Sequence, residues 1–131
     1  MAAISDKPLA KKLLLKPRTV LVALNAPDNY LELLGPLPEG CAVQTQLQGK
    51  AECVHLFVRT RAELKKSMAA LKKALQPNTL LWISYPKKSS KVETDLSRDQ
   101  GWEPVIDAGL EGVTLVSVDG VWSAMRFKPG A

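Results

Sequence analysis

The sequence predicts a single three-layer α/β domain whose mostly parallel sheet ends in an antiparallel hairpin. Three observations carry that reading. Residues 53–84 read as an apolar strand (53–58), a capped amphipathic helix (61–75) and a second apolar strand (80–84). A strand–helix–strand unit with continuously apolar strands implies parallel pairing under helices on both faces. Asp119-Gly120 separates two alternating apolar runs near the end of the chain, a strong hairpin signal. A length of 131 residues with 46% hydrophobic side chains fits one domain with a real core.

Taken in order, Pro8 suits the first turn of a short helix, with Leu9 and Leu13 on one face and Pro17 as its stop. Residues 19–24 form a buried strand. Asn25-Ala26-Pro27-Asp28 opens a second helix that Gly35 caps. The turn-rich segment 35–40 leads to a short strand at 41–47, which either runs parallel beside the first strand or forms a hairpin with the third. Gln48-Gly49-Lys50 breaks it. In the third helix Thr60 and Glu63 have capping-box spacing. Leu64, Met68, Leu71 and Leu75 make its apolar stripe, with Lys65, Lys66, Lys72 and Lys73 on the wet side. A polar loop at 85–91 precedes a helix capped by Thr94 or Asp95 and broken near Gly101 and Pro104. Strands at 112–118 and 121–127 complete the chain.

This order, with Leu75-Gln76-Pro77-Asn78-Thr79-Leu80-Leu81-Trp82-Ile83 entering a strand and a terminal hairpin, resembles the later half of class I methyltransferases. The resemblance implies a truncated Rossmann-like architecture. The chain also resembles a small bacterial family described only as a domain of unknown function. That likeness rests on Pro8-Leu9-Ala10-Lys11-Lys12-Leu13, Leu24-Asn25-Ala26-Pro27, Leu34-Gly35-Pro36-Leu37-Pro38, Val54-His55-Leu56-Phe57-Val58, Pro86-Lys87-Lys88-Ser89-Ser90, Thr94-Asp95-Leu96 and Val118-Asp119-Gly120-Val121-Trp122-Ser123.

The chain departs from the methyltransferase pattern at the cofactor loop. S-adenosylmethionine enzymes place a glycine-rich turn after the first strand, and an acidic residue at the end of the second holds the ribose. Here those regions are Leu24-Asn25-Ala26-Pro27-Asp28 and Gln44-Thr45-Gln46-Leu47-Gln48. Too short a segment follows for the additional helix and strand of the full fold. The expectation is therefore no cofactor held in the usual mode.

Ligands of open α/β sheets sit beyond the carboxyl ends of the strands. That rule selects Asn25, Arg59, Thr60, Tyr85, Lys87, Lys88 and Ser89, with Thr94 and Asp95 beyond the loop. Asn25, Arg59, Lys87, Lys88, Ser89, Thr94 and Asp95 are the candidate ligand contacts, the lysines and Ser89 as an anion site ahead of a helix start. His55 lies mid-strand and reads as a hydrogen-bonded core histidine. Cys41 and Cys53 lack metal-site spacing and read as small buried hydrophobes. Trp122 reads as a cover for the sheet. No nucleophile–base set or metal cluster is visible, so no catalytic and no metal residue is assigned.

The formal net charge of +5 bears on attraction to polyanions and not on fold. The lysine doublets carry no interleaved aromatics, so nucleic-acid binding ranks last. No apolar run reaches the roughly 20 residues of a membrane span, and residues 1–6 lack a secretory leader's pattern. The expectation is a cytoplasmic, non-catalytic domain acting through protein contacts or ligand sensing. The alternative is a ligand-binding or S-adenosylmethionine-dependent transferase domain that uses the crevice.

Overall fold

The computed structural model describes residues 8–130; the leader reading at residues 1–6 lies outside them. Strands β1 (Val20–Leu24), β2 (Ala42–Gln44), β3 (Cys53–Phe57), β4 (Leu80–Pro86), β5 (Leu110–Ser117) and β6 (Trp122–Pro129) form one sheet in the order β2-β1-β3-β4-β6-β5. The pairs β1–β2, β1–β3 and β3–β4 are parallel, while β6 runs antiparallel to both of its neighbours, β4 and β5. The mostly parallel sheet and its terminal hairpin are thus present. β2 takes the parallel position beside β1, not a hairpin with β3.

Side chains alternate across the sheet into two cores. Val54, Leu56, Leu81, Ile83 and Phe127 pack on one face under α3 (Arg61–Leu71) and α4 (Glu103–Ile106). Leu21, Ala23, Cys53, Phe57 and Trp82 pack on the other under α1 (Leu9–Lys12) and α2 (Tyr30–Leu34). Every residue of β3 is buried, because helices cover it from both sides. No helix among the described residues is long and apolar enough to cross a membrane.

The capping box forms as expected: the Glu63 N–H donates to the Thr60 hydroxyl at 3.1 Å, and the Glu63 carboxylate accepts from Thr60 N–H at 3.2 Å. Leu64, Met68 and Leu71 are the buried stripe. The helix ends at Leu71, four residues before the expected limit. α1 is shorter too, because Leu14 leaves the helical region at φ 61° before Pro17 is reached. α2 begins at Tyr30 after a turn in which Tyr30 N–H donates to the Pro27 carbonyl, and Gly35 ends it at φ 72°.

The helix expected after Thr94 and Asp95 does not form there. Both side chains bond elsewhere: the Asp95 carboxylate accepts from Arg61 N–H at 2.8 Å, and the Thr94 hydroxyl donates to the Arg59 carbonyl at 2.5 Å. A single turn forms later, at α4, with Pro104 in its first turn, where a missing N–H costs nothing. Pro104 starts that helix and does not break one.

The hairpin also differs in detail. Val118 N–H donates to the Trp122 carbonyl, leaving a three-residue loop in place of a two-residue Asp-Gly turn. Gly120 has no positive φ. The Asp119 carboxylate makes the turn instead, accepting from Val121 N–H and Trp122 N–H, each at 2.8 Å, a local side-chain closure typical of aspartate. A bulge interrupts β5 between Gly112 and Thr114.

These contacts set measurable stabilities. Met68→Ala, which empties part of the core under α3, should lower unfolding free energy by about 2–5 kcal/mol. Asp119→Ala should cost about 1–3 kcal/mol through two lost charge-assisted bonds. Urea denaturation of each variant checks both values.

Candidate functional site

The carboxyl ends of β1 and β3 open into a cavity of about 430 Å³, inside the roughly 300–1,000 Å³ range of small-molecule sites. Its walls are the turn after β1 (Asn25, Ala26, Pro27 and Asp28), the end of β3 (Phe57, Val58 and Arg59), Glu63 at the start of α3, and Trp122. Phe57 and Trp122 meet edge-to-face with centroids 5.0 Å apart. They give the cavity an apolar side, while Asp28 and Arg59 supply opposite charges at exposed positions.

Asn25 is the informative residue of this site. It follows β1 directly and holds φ 59°, the left-handed region that glycine enters freely and asparagine tolerates best among other residues. Its side-chain amide donates to the Phe57 carbonyl at 3.4 Å, tying the turn to the end of β3. The turn expected there without a glycine is made, with asparagine taking the left-handed position. Pro27 still removes one backbone donor from the loop.

Of the candidate contacts, Asn25 and Arg59 lie together in the cavity. Thr94 stands behind it, bonded to the Arg59 carbonyl, and Thr60 is occupied as the cap of α3. Asp95 is drawn away to the Arg61 amide. Lys87 turns to the hairpin, donating to the Ser117 hydroxyl at 2.7 Å. Lys88 and Ser89 sit exposed on a short 3₁₀ turn, Lys88–Ser90. These three do not line the cavity, so the sequence's anion site and its crevice are separate places. Tyr85 points the other way, buried against Trp102 with centroids 5.4 Å apart. Burial raises its pKa.

Asp28, Phe57 and Trp122 were not singled out for the crevice. The strand-end rule names residues just past a strand, whereas Trp122 arrives from the antiparallel β6, opposite Pro86. Asp28 had a signal, because it belongs to the same turn as Asn25.

His55 is fully enclosed. Its Nδ1 lies 2.7 Å from the Tyr30 hydroxyl and its Nε2 lies 2.5 Å from the Ser84 hydroxyl. A neutral imidazole donates to one and accepts from the other. Burial pushes its pKa down to about 3, and burial likewise raises that of Tyr30. Both groups are therefore uncharged partners in the core. Cys53 is buried as expected, while Cys41 is half-exposed and donates to the Lys16 carbonyl at 3.0 Å.

No protein-family model and no curated protein matches the sequence. Solved structures do match in shape. The chain is similar to ribosomal protein L11 methylase from Lactobacillus delbrueckii subsp. bulgaricus (TM-score 0.59, 10% identity, 92% of this chain and 74% of that one). The fold is a methyltransferase-like α/β Rossmann fold. An S-adenosylmethionine-dependent methyltransferase from Aquifex aeolicus aligns with TM-score 0.56 and 17% identity over 91% of this chain and 86% of that one. LepI in complex with S-adenosylmethionine aligns with TM-score 0.54 and 16% identity over 92% of this chain, which spans only 39% of LepI.

Within the crevice the left-handed turn at Asn25 lies beside the opposed charges of Asp28 and Arg59. β2 ends in Gln44, no carboxylate follows it directly, and neither Gln44 nor Thr45 lines the cavity.

The buried histidine predicts a pH dependence. The unfolded chain binds a proton near pH 6.5, whereas the folded chain resists it to about pH 3. His55 stability is then complete above pH 6.5 and falls with acidification by up to about 1.4 kcal/mol per pH unit across that window. Unfolding of the native chain and of His55→Gln between pH 7 and pH 4 checks this; the variant should lose that component of the slope.

Proposed function

We propose that this domain binds a ligand of the S-adenosylmethionine class in the crevice at the carboxyl ends of β1 and β3. The observation that carries this reading is Asn25 at φ 59°, facing a cavity that it shares with Arg59 and Asp28. Arg59 would hold the ligand's carboxylate by charge-assisted bonds. Asp28 would face its positive end, and Phe57 and Trp122 would cover its apolar part. The methyltransferase fold supports this placement, since ligands of open sheets lie at such a crevice.

Binding without transfer is the form of this reading that the side chains favour. His55 is locked in the core as a neutral group. Glu63, a carboxylate of the cavity wall, is committed to Arg59 N–H at 2.8 Å and to the capping box. A general base must reach the proton it removes; neither group is free to do so, and Asp28, the other carboxylate of the wall, is the one assigned to the ligand's positive end. Ligand sensing is thus the mode proposed for the crevice.

Calorimetric titration with S-adenosylmethionine, S-adenosylhomocysteine and methionine tests the proposal. Saturable binding of at least one is expected, weakened about tenfold or more in Arg59→Ala by loss of a charge-assisted contact. A flat response to all three overturns it. Asn25→Gly should retain binding. Asn25→Val should lose it and destabilise the fold by about 1–2 kcal/mol, because a β-branched side chain resists the left-handed region.

A further inference from the structure

The amino end of the sheet, opposite the crevice, holds a second cavity of about 440 Å³. It opens between the residues that lead into β1, β3 and β4. Two hydrogen-bonded frames hold its walls. On one side Trp82 Nε1 donates to the Leu13 carbonyl at 3.0 Å. That bond anchors the turn in which Leu14 takes φ 61° and Leu15 is buried. On the other side the Thr79 hydroxyl donates to the Ala51 carbonyl at 2.6 Å and accepts from Gln76 N–H at 2.8 Å. Leu80 N–H donates to the Glu52 carbonyl at 2.9 Å.

The charges of this cavity do not balance. Among the described residues Lys16, Lys50 and Arg126 line it, with Glu52 as the one carboxylate, which lies 3.4 Å from the Val20 N–H. Arg126 is half-buried and stands opposite Trp82 in the β4–β6 register. Among the described residues it has no carboxylate partner, the ion pair there being Arg61–Glu103. A guanidinium partly withdrawn from water gains from a planar anion that accepts two parallel N–H bonds. Leu14, Leu15 and Leu80 add an apolar wall beside that charge. Cys53 belongs to the wall as well; burial, with Cys41 and Glu52 adding to it, pushes its pKa up to about 12, so the thiol stays protonated and apolar in character.

We propose that this cavity binds a small amphipathic carboxylic acid, with its carboxylate on Arg126 and its aliphatic portion against Leu14, Leu15 and Leu80. The site is independent of the crevice, from which the full length of the parallel strands separates it.

Calorimetric titration of the full chain with decanoate, decanol and acetate tests this. Decanoate should bind saturably, with decanol and acetate each at least about tenfold weaker, since each lacks one of the two recognised features. Arg126→Gln should weaken decanoate by about tenfold or more, and Arg126→Lys should recover part of that loss while keeping the native far-ultraviolet spectrum. Absence of decanoate binding, equal binding of decanol, or equal binding of acetate overturns the proposal without reliance on any variant. An equal loss in Arg59→Ala would place the acid in the crevice and overturn it too.

Discussion

Strand β3 is enclosed on both faces, and its one strongly polar side chain, His55, has no route to water. A buried imidazole needs partners for both nitrogens. Here one partner comes from α2 through Tyr30 and the other from β4 through Ser84. The histidine therefore joins a helical layer to two adjacent strands at one point. The ring stack on Phe57, 4.3 Å away, and the edge contact of Phe57 with Trp122 extend that junction to the hairpin. The positions of the β1 turn and of β6, which together wall the crevice, follow from this packing.

Much of the architecture was legible because it rests on local patterns. The apolar runs of β3 and β4, the Thr60–Glu63 box and the Leu64–Met68–Leu71 stripe each report a backbone preference that tertiary contacts reinforce. The misreadings came where a polar side chain, not the residue pattern around it, decided the backbone's path, once at long range and once locally. Asp95 resembles a cap for the residues that follow it, yet it serves the amide of Arg61, 34 positions earlier. Asp119 was read through its glycine neighbour, whereas its own carboxylate closes the turn.

The site was legible in part for the same reason. Asn25 and Arg59 follow the ends of neighbouring parallel strands, so the strand-end rule brings them together. Lys87 and Lys88 satisfy that rule on paper, but β4 runs on to Pro86 and pairs there with β6, carrying them away from the crevice. Trp122 enters from an antiparallel strand, which no rule about carboxyl ends can anticipate. The amino-end cavity lay outside the reasoning altogether. Its residues come from four separate segments of chain, 14–19, 50–53, 76–80 and Arg126, and its cations belong to no motif.

The irregularity in β5 has a consequence for how copies of this molecule meet. β5 is the outermost strand beside β6, eight residues long and mostly exposed. A straight strand of that kind offers its free amides and carbonyls as a template for another chain. The extra residue at Val113 puts the ladder out of step. The kinked rim thus denies a neighbour the even row of donors and acceptors on which fibrous stacking begins.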